Sequence, residues 1–468
     1  MTTTTAAPIA VPDTFHGDQY LSLTALFSIA GGRPVADDSG APKSMLYGSH
    51  QRSVLTSASL RRAERTHSRH LANNGHGPLA DAARGIRTRE LAIMVANQLH
   101  DLGWDSEDAS VDAMSIARSA LSGMGLKFGA ERTANLTKVL LFIPESAPNA
   151  IATVLLAQRT DVEQWHQQAQ EGRDHNTAQD EKRAKVSKAK RAAIRTGEPA
   201  EISEDLEPGE AVKVAPLPKA LRDALTRALD PGSAIDIALY GRFLAEIQGT
   251  PNIDGALQHA PAFTVTAAAE SVDFYSAADD AKLARKANPP RRDAMAYLDH
   301  GDNGSGITGY QTLISGTFFR HAALDRWLLR RNILASGLVP EQVEALAQAA
   351  EEDFVTGFID AMPQAKRNTT AVPGTLPKMV LAFTGKRPFN YAGIFERVIV
   401  ETDKEAASVT AARRLLAQHE LVTRKRADIQ PGRVLTYDLD VQELLDDLRA
   451  AGRLVPAEAA TVAELLER

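Results

Sequence analysis

The segment TSASLRRAERTHSRH, residues 56–70, spaces Arg61, Arg65 and Arg69 four apart, so on a helix their guanidinium groups share one face. Thr56, Ser57 and Ser59 stand where that helix would begin, with Ser57 able to act as its cap. Amides at a helix start lack partners and carry the positive end of the macrodipole, and hydroxyls add further donors. Cation, hydroxyl and amide together suit phosphate, and such a cradle grips a nucleic-acid backbone without reading its bases. A surface helix with a serine cap accounts for the same residues equally well.

Two other constellations have related chemistry. Tyr240-Gly241-Arg242-Phe243 closes a stretch, AIDIALYGRF, that alternates at Ile235, Ile237 and Leu239 and so predicts a strand over 234–243. A glycine there admits close approach of a backbone, Arg242 could meet phosphate, and Phe243 could stack on or wedge between bases. Arg242 and the arginine face after residue 57 are expected to line one trough for a polyanion. The third constellation is 263–320, where strand candidates 263–269 and 308–320 flank a polar excursion over 276–306. Lys282, Arg285, Lys286, Arg291 and Arg292 give that excursion a basic character suited to an anionic partner. A mobile surface insertion is the plainer account of it.

These residues must be carried by a scaffold. Leu21, Leu23, Ala25, Phe27 and Ile29 alternate, which predicts a half-buried strand over 20–29, and 138–143 and 378–384 are further strand candidates. Helical character is read over 57–72, 88–101, 107–122, 145–170, 217–230, 339–361, 405–420 and 440–468, the last charged and peripheral. Residues 182–195 carry seven basic residues and no acid, and 196–210 carry six acids and no base. Adjacent blocks of this kind predict a solvated, mobile segment over 171–216. Strands interspersed unevenly with helix clusters point to an α+β fold.

Composition narrows the function. Hydrophobic residues make up 44%, charged residues 24% and aromatics 5%, with no cysteine, so disulfides, thiolate metal sites and a cysteine nucleophile are excluded. A net charge of −6 leaves room for a local basic groove on an otherwise acidic surface. The start of the chain is expected to be a disordered leader over 1–17, not a signal peptide, and no run of about 18 apolar residues predicts a membrane span. A cytoplasmic location is the expectation. There is no GxxxxGK[ST], GxGxxG after a strand, HExxH or GxSxG, and no cofactor is expected. His67 and His70 lie among arginines, which oppose a metal cation, and no metal site is expected. Asp279 and Asp280 read as a solvated turn, since a magnesium-dependent nuclease would need further converging acids. The aromatic motif of ordinary RNA-recognition domains is missing, so any RNA binding must rest on phosphate contacts.

Several blocks resemble the CasC family, the backbone subunit of the type I-E CRISPR Cascade complex. They are KSMLYGSHQRSVLTSASLRRAER (43–65), SAIDIALYGRF (233–243), NIDGALQHAPAFTVTAA (252–268), VDFYSAADD (272–280), ISGTFFRH (314–321) and AKRNTTAVPGTLPKMVLAF (365–383). Their order and spacing cover roughly residues 20–400. The resemblance implies an α+β hand: a modified RNA-recognition (ferredoxin-like) palm, helical fingers and a β-hairpin thumb. By position it implies a palm in three parts, 18–60, 231–262 and 321–400, with fingers over 61–230, a thumb over 263–320 and a helical extension over 401–468.

The resemblance further implies a non-enzymatic subunit that stacks with further copies of itself along a guide crRNA and presents it to target DNA opened as an R-loop. Its other partners would be the large, small, guide-end cap and processing endonuclease subunits of Cascade. Lys43, Thr56, Ser57, Ser59, Arg61, Arg62 and Arg65 would line the guide backbone, and Gly241, Arg242 and Phe243 would sit beside a kinked nucleotide. Tyr275, Ser276, Ile307 and Thr308 would belong to the thumb. Lys182, Lys185, Lys188 and Lys190, or Lys219 and Arg222, would meet target DNA. The chain departs from the family at Ala58, where a polar residue is expected, and in the lengths of 171–216 and 282–306. An alternative is a backbone subunit that cleaves target RNA with a metal and a thumb-loop aspartate, Asp279 or Asp280.

Overall fold

Strand β1, Tyr20–Gly32, sets the architecture because it is buried on both faces. The alternating residues Phe27 and Ile29 join one buried cluster with Leu55 and Leu60. Leu26, one step out of phase, joins a second cluster on the other face with Leu381 and Leu415. A strand covered on both sides must also bury its polar positions, and Thr24 accordingly meets the His321 ring at 3.2 Å.

The structure is a computed structural model describing residues 18–105, 111–196, 209–230, 234–244, 247, 252–288 and 305–466. It comprises two units, one of Met1–Asp81, Gly255–Leu334 and Leu338–Arg468, the other of Ala82–Asp254 and Ala335–Gly337. The expected leader over 1–17 lies outside the described residues, as do Arg291 and Arg292.

In chain order the first unit opens with β1, β2 (Ser44–Tyr47), β3 (His50–Leu55) and helix α1 (Ser57–Asn73). The second unit holds β4 (Gly85–Thr88), α2 (Leu91–Asp101), α3 (Ala113–Gly123), β5 (Leu141–Pro144), α4 (Ala147–Ala157), α5 (Arg159–Thr196), α6 (Lys219–Ala228) and α7 (Ile235–Tyr240). The first unit resumes with β6 (Leu257–His259), β7 (Ala262–Thr264), β8 (Ala269–Ala278), α8 (Asp280–Ala287) and β9 (Ser305–Asp325). It ends with α9 (Arg326–Leu334), α10 (Pro340–Asp360), α11 (Arg367–Thr370), β10 (Pro377–Gly385), α12 (Ala407–Lys425), β11 (Arg433–Thr436), α13 (Leu439–Ala450) and β12 (Ala457–Glu458).

Among the described residues the main sheet has ten strands in the order β12-β11-β10-β1-β9-β7-β3-β2, with β6 and β8 also paired to β9. It is antiparallel except for β11 with β12, so the fold is a mixed α+β arrangement as the element pattern predicted. Buried residues of α12 and α13 cover one face, and Leu60 of α1 lies in the cluster on the other. In the second unit α2, α3, α4, α5 and α6 share a core around Leu99, Ile116, Leu155, Trp165 and Leu225.

Several expectations are corrected. The stretch 234–243 is not a strand: α7 occupies Ile235–Tyr240, and Gly241, at φ 78°, ends it. A short apolar run fits either element by periodicity, and here all of Ile235–Leu239 is buried, with Asp236 accepting the Gly85 amide. The helix over 145–170 is two, parted at Gln158. The region 440–468 is not one peripheral helix, since α13 stops near Gly452 (φ 67°) and Val441, Leu444 and Leu445 are core residues.

The segment expected to be mobile over 171–216 is helical as far as Thr196, and 197–208 lies outside the described residues. Residues 209–214 then lie along α5. The Asn176 amide both donates to the Val212 carbonyl and accepts its N–H, each at 2.8 Å, and Gln179 accepts the Gly209 N–H at 2.6 Å.

Candidate nucleic-acid interface

Helix α1 begins one residue earlier in its capping than the sequence suggested. Thr56, not Ser57, is the cap: its hydroxyl accepts the Ser59 N–H at 3.3 Å, and the Ser59 hydroxyl donates to the Thr56 carbonyl at 2.7 Å. Thr56 has the extended backbone a cap requires, whereas Ser57 is already helical. Two of the three expected hydroxyls are therefore engaged in starting the helix. Lys43 is brought to this end because its carbonyl accepts the Val54 N–H at 2.9 Å.

The buried stripe of α1 is Leu60, Ala63, Glu64 and Ala72. Arg62 is exposed, and Arg61, Arg65 and Arg69 are half-buried beside the stripe. The helix is held down by Glu64, the one acid in 56–70. Its carboxylate meets Arg320 at 2.5 Å and His259 at 2.9 Å, all inside the first unit. Burial pushes the Glu64 carboxyl up, but His259 and Arg320 outweigh that and hold it below the usual carboxylate range. Arg320 also donates to the Ala361 carbonyl and lies over the Phe358 ring. Sequence reasoning missed this anchor, whose one signal was an acid inside a basic stretch. It also missed Arg52, which is fully buried and donates to the carbonyls of Thr264, Thr266 and Phe395.

Strands β8 and β9 form a two-stranded arm. Every residue of β8 is exposed, and its register pairs Phe274 with Tyr310, Tyr275 with Gly309, Ser276 with Thr308 and Ala277 with Ile307. The expected residues Tyr275, Ser276, Ile307 and Thr308 are thus neighbours on one ribbon. The sequence did not single out Val272, Phe274 and Tyr310, which are 69%, 55% and 75% exposed. Phe274 and Tyr310 pack together with ring centroids 5.3 Å apart. Among the described residues the ribbon is uncovered, and apolar side chains on both of its faces are the mark of a surface made to be covered. The arm joins the sheet at Ile314, which shares a buried cluster with Leu60 of α1.

In the second unit Gly241, Arg242 and Phe243 part company. Phe243 is 76% exposed, but Arg242 is 4% exposed and its guanidinium donates to the Leu229 carbonyl at 2.6 Å. Burial lowers the Arg242 pKa to about 10, with the Asp230 carboxylate opposing the shift. Arg242 therefore faces inward, and the expected trough does not include it, because the turn at Gly241 and the bridge to Ile253 direct its side chain into the unit. Lys182, Lys185 and Lys188 lie on α5, the first half-buried and the other two exposed, and Lys190 follows on the same helix. Lys219 opens α6, and Arg222 follows within it, half-buried.

Asp279 caps α8, accepting the Lys282 N–H at 2.9 Å, so this carboxylate has a structural task. Among the described residues no group of three or more His, Asp or Glu side chains could hold a metal ion. No helix among them is long and apolar enough to cross a membrane.

A family model described as CT1975-like protein matches residues 36–444, and the chain belongs to this family. No curated protein matches the chain. Among solved structures, it is similar to a chain of a "CRISPR RNA-guided surveillance complex, pre-nicking", with a TM-score of 0.65, 23% identity, and coverage of 95% of this chain and 98% of that one. It is also similar to a chain of a "CRISPR RNA-guided surveillance complex", with a TM-score of 0.58, 19% identity, and coverage of 95% and 98%. These likenesses establish the fold.

Proposed function

We propose that the chain is a non-enzymatic backbone subunit of a CRISPR RNA-guided surveillance complex, of the CasC kind that serves type I-E Cascade. In this reading the main sheet is the palm, the second unit the fingers and the β8–β9 arm the thumb. The observation that carries it is the convergence of α1, with its arginines, and the root of the aromatic arm on one buried cluster through Leu60 and Ile314. A cationic helix grips phosphate without regard to sequence, and an exposed apolar ribbon wedges between bases or meets a neighbouring copy.

Lys43, Arg61, Arg62 and Arg65 hold the guide backbone, and Tyr275, Ser276, Ile307 and Thr308 engage the nucleotides displaced along it. Phe243 is an exposed aromatic of the second unit, suited to stacking on a base. The lysines of α5 take target DNA. The protein supplies backbone contacts, and guide–target pairing supplies sequence specificity. The partners are crRNA, target DNA, further copies of the chain and the other Cascade subunits. The cap made by Asp279 speaks against a cleaving role for it.

The test is co-purification of guide RNA with the chain expressed beside its repeat array. R61E/R65E should lose the RNA while keeping its fold by circular dichroism. A folded double variant that keeps its guide at moderate salt would overturn the assignment.

A further inference from the structure

Residues 361–395 contain no acid in a chain whose net charge is −6, yet they carry Lys366, Arg367, Lys378, Lys386 and Arg387. Lys378 faces Asp438 and Arg387 faces Asp428. Among the described residues no carboxylate pairs with Lys366 or Arg367, and Arg367 reaches only the Gln364 amide oxygen, at 3.5 Å. Residues 364–369 are all exposed.

The backbone here is strained in a specific way. Lys366 (φ 55°) and Ala371 (φ 51°) are both left-handed, a conformation disfavoured for residues with a Cβ other than Asn or Asp, and they bracket the single turn of α11. Strain of this kind persists only where the surroundings impose it. Here the turn is closed by the Lys366 carbonyl, which accepts the N–H groups of Thr369 and Thr370 and, at 2.9 Å, the Thr370 hydroxyl. The following residue, Val372, is buried in the cluster that contains Ile29, Leu60 and Ile314. Val372 packs so closely on Gly32 that a Cβ there would lie 2.4 Å from its methyl group. The loop is thereby fixed to the same cluster as α1 and the root of the arm, with its two cations and Asn368 turned to solvent.

We infer that residues 366–370 form a second phosphate-binding element, which grips the backbone of single-stranded RNA through Lys366, Arg367 and Asn368. The inference rests on the RNA-binding reading above and extends it to a loop outside α1. The turn's own amides and hydroxyls are spent on the Lys366 carbonyl, so the match to a phosphodiester lies in the exposed, acid-free side chains it holds out: two cations and the Asn368 amide.

The experiment titrates the full chain with a labelled single-stranded RNA over a range of salt, comparing K366E/R367E with R61E/R65E. Loss of two contacts should lower the slope of log affinity against log salt by about 1.4, at about 0.7 per single-strand phosphate. The weakening should be equal for RNAs of unrelated sequence, and K366R/R367K should restore the slope. If K366E/R367E misfolds, retention of the slope by K366R/R367K together with its loss in K366Q/R367Q still supports the inference. An unchanged slope in the loop variants, alongside a reduced slope in R61E/R65E, overturns the loop assignment alone. No RNA binding by the unmodified chain overturns the RNA reading and the loop with it. Normal RNA binding with loss of self-association assigns the loop to a protein contact and overturns the inference.

Discussion

The Glu64 carboxylate and the Arg320 guanidinium meet at 2.5 Å with side chains 3% and 1% exposed, one on α1 and the other on β9. The pair ties the helix that bears the candidate phosphate ligands to the strand that runs into the arm. Breaking one side leaves a buried charge without its partner, so Glu64→Ala should cost about 3–5 kcal/mol. Urea unfolding would measure this, and a loss under about 1 kcal/mol would show that the pair is dispensable.

Acid should act on the interior histidines. Burial lowers the pKa of His321 to about 3, and burial also lowers that of His419. A histidine whose folded pKa is depressed binds its proton more readily when unfolded, so its stabilising contribution is complete above the unfolded value of about 6.5. As pH falls below that value, stability should drop by up to about 1.4 kcal/mol per unit for each such group. Denaturation midpoints at neutral and mildly acid pH test the sign, and a flat profile would contradict it.

His419 also has a fixed tautomer. Its Nε2 lies 2.7 Å from the Pro431 carbonyl and so must carry the proton, which leaves Nδ1 to accept from the Tyr391 hydroxyl at 2.7 Å. Tyr391→Phe should therefore cost about 1 kcal/mol. The same substitution should change the acid sensitivity little, because the ring stays buried and burial is what lowers its pKa. Thermal unfolding of the variant at two pH values checks both statements.

Gly309 offers a clean lesion in the arm. A Cβ there would lie 2.5 Å from the Tyr275 hydroxyl oxygen, so Gly309→Ala should displace that exposed ring and leave the core alone. Stability should change by no more than about 0.5 kcal/mol. Assembly along RNA should weaken, read as a shorter array on a guide of given length in native electrophoresis. An array of normal length would remove Tyr275 from the proposed function.

Legibility in the sequence followed periodicity and failed where tertiary context decides. The strand at Tyr20–Gly32 and the helices at Ser57–Asn73 and Pro340–Asp360 showed their periods plainly and stand where expected. The run at 234–243 was too short for its alternation to distinguish strand from helix, and only the turn at Gly241 settles which it is. Arg242 was chosen for its residue type, but an arginine can neutralise a phosphate or satisfy an interior carbonyl, and its neighbours in sequence do not say which. The arginines of α1 were legible because the spacing of four reports a shared face directly. The anchoring of α1 was not, because Glu64, His259 and Arg320 are far apart in the chain. The Lys366–Ala371 turn was hidden for another reason: nothing about lysine or alanine announces a left-handed backbone.

The uncovered arm has a thermodynamic corollary. A ribbon of two strands with no third layer is only marginally stable in water by itself. Its amides beyond Ile314 should therefore exchange with solvent quickly in the isolated chain and slowly once something is laid against Phe274 and Tyr310. The ordering cost would then fall on the first contact and be spared on the next, so occupancy along a lattice of sites would rise in blocks rather than one by one.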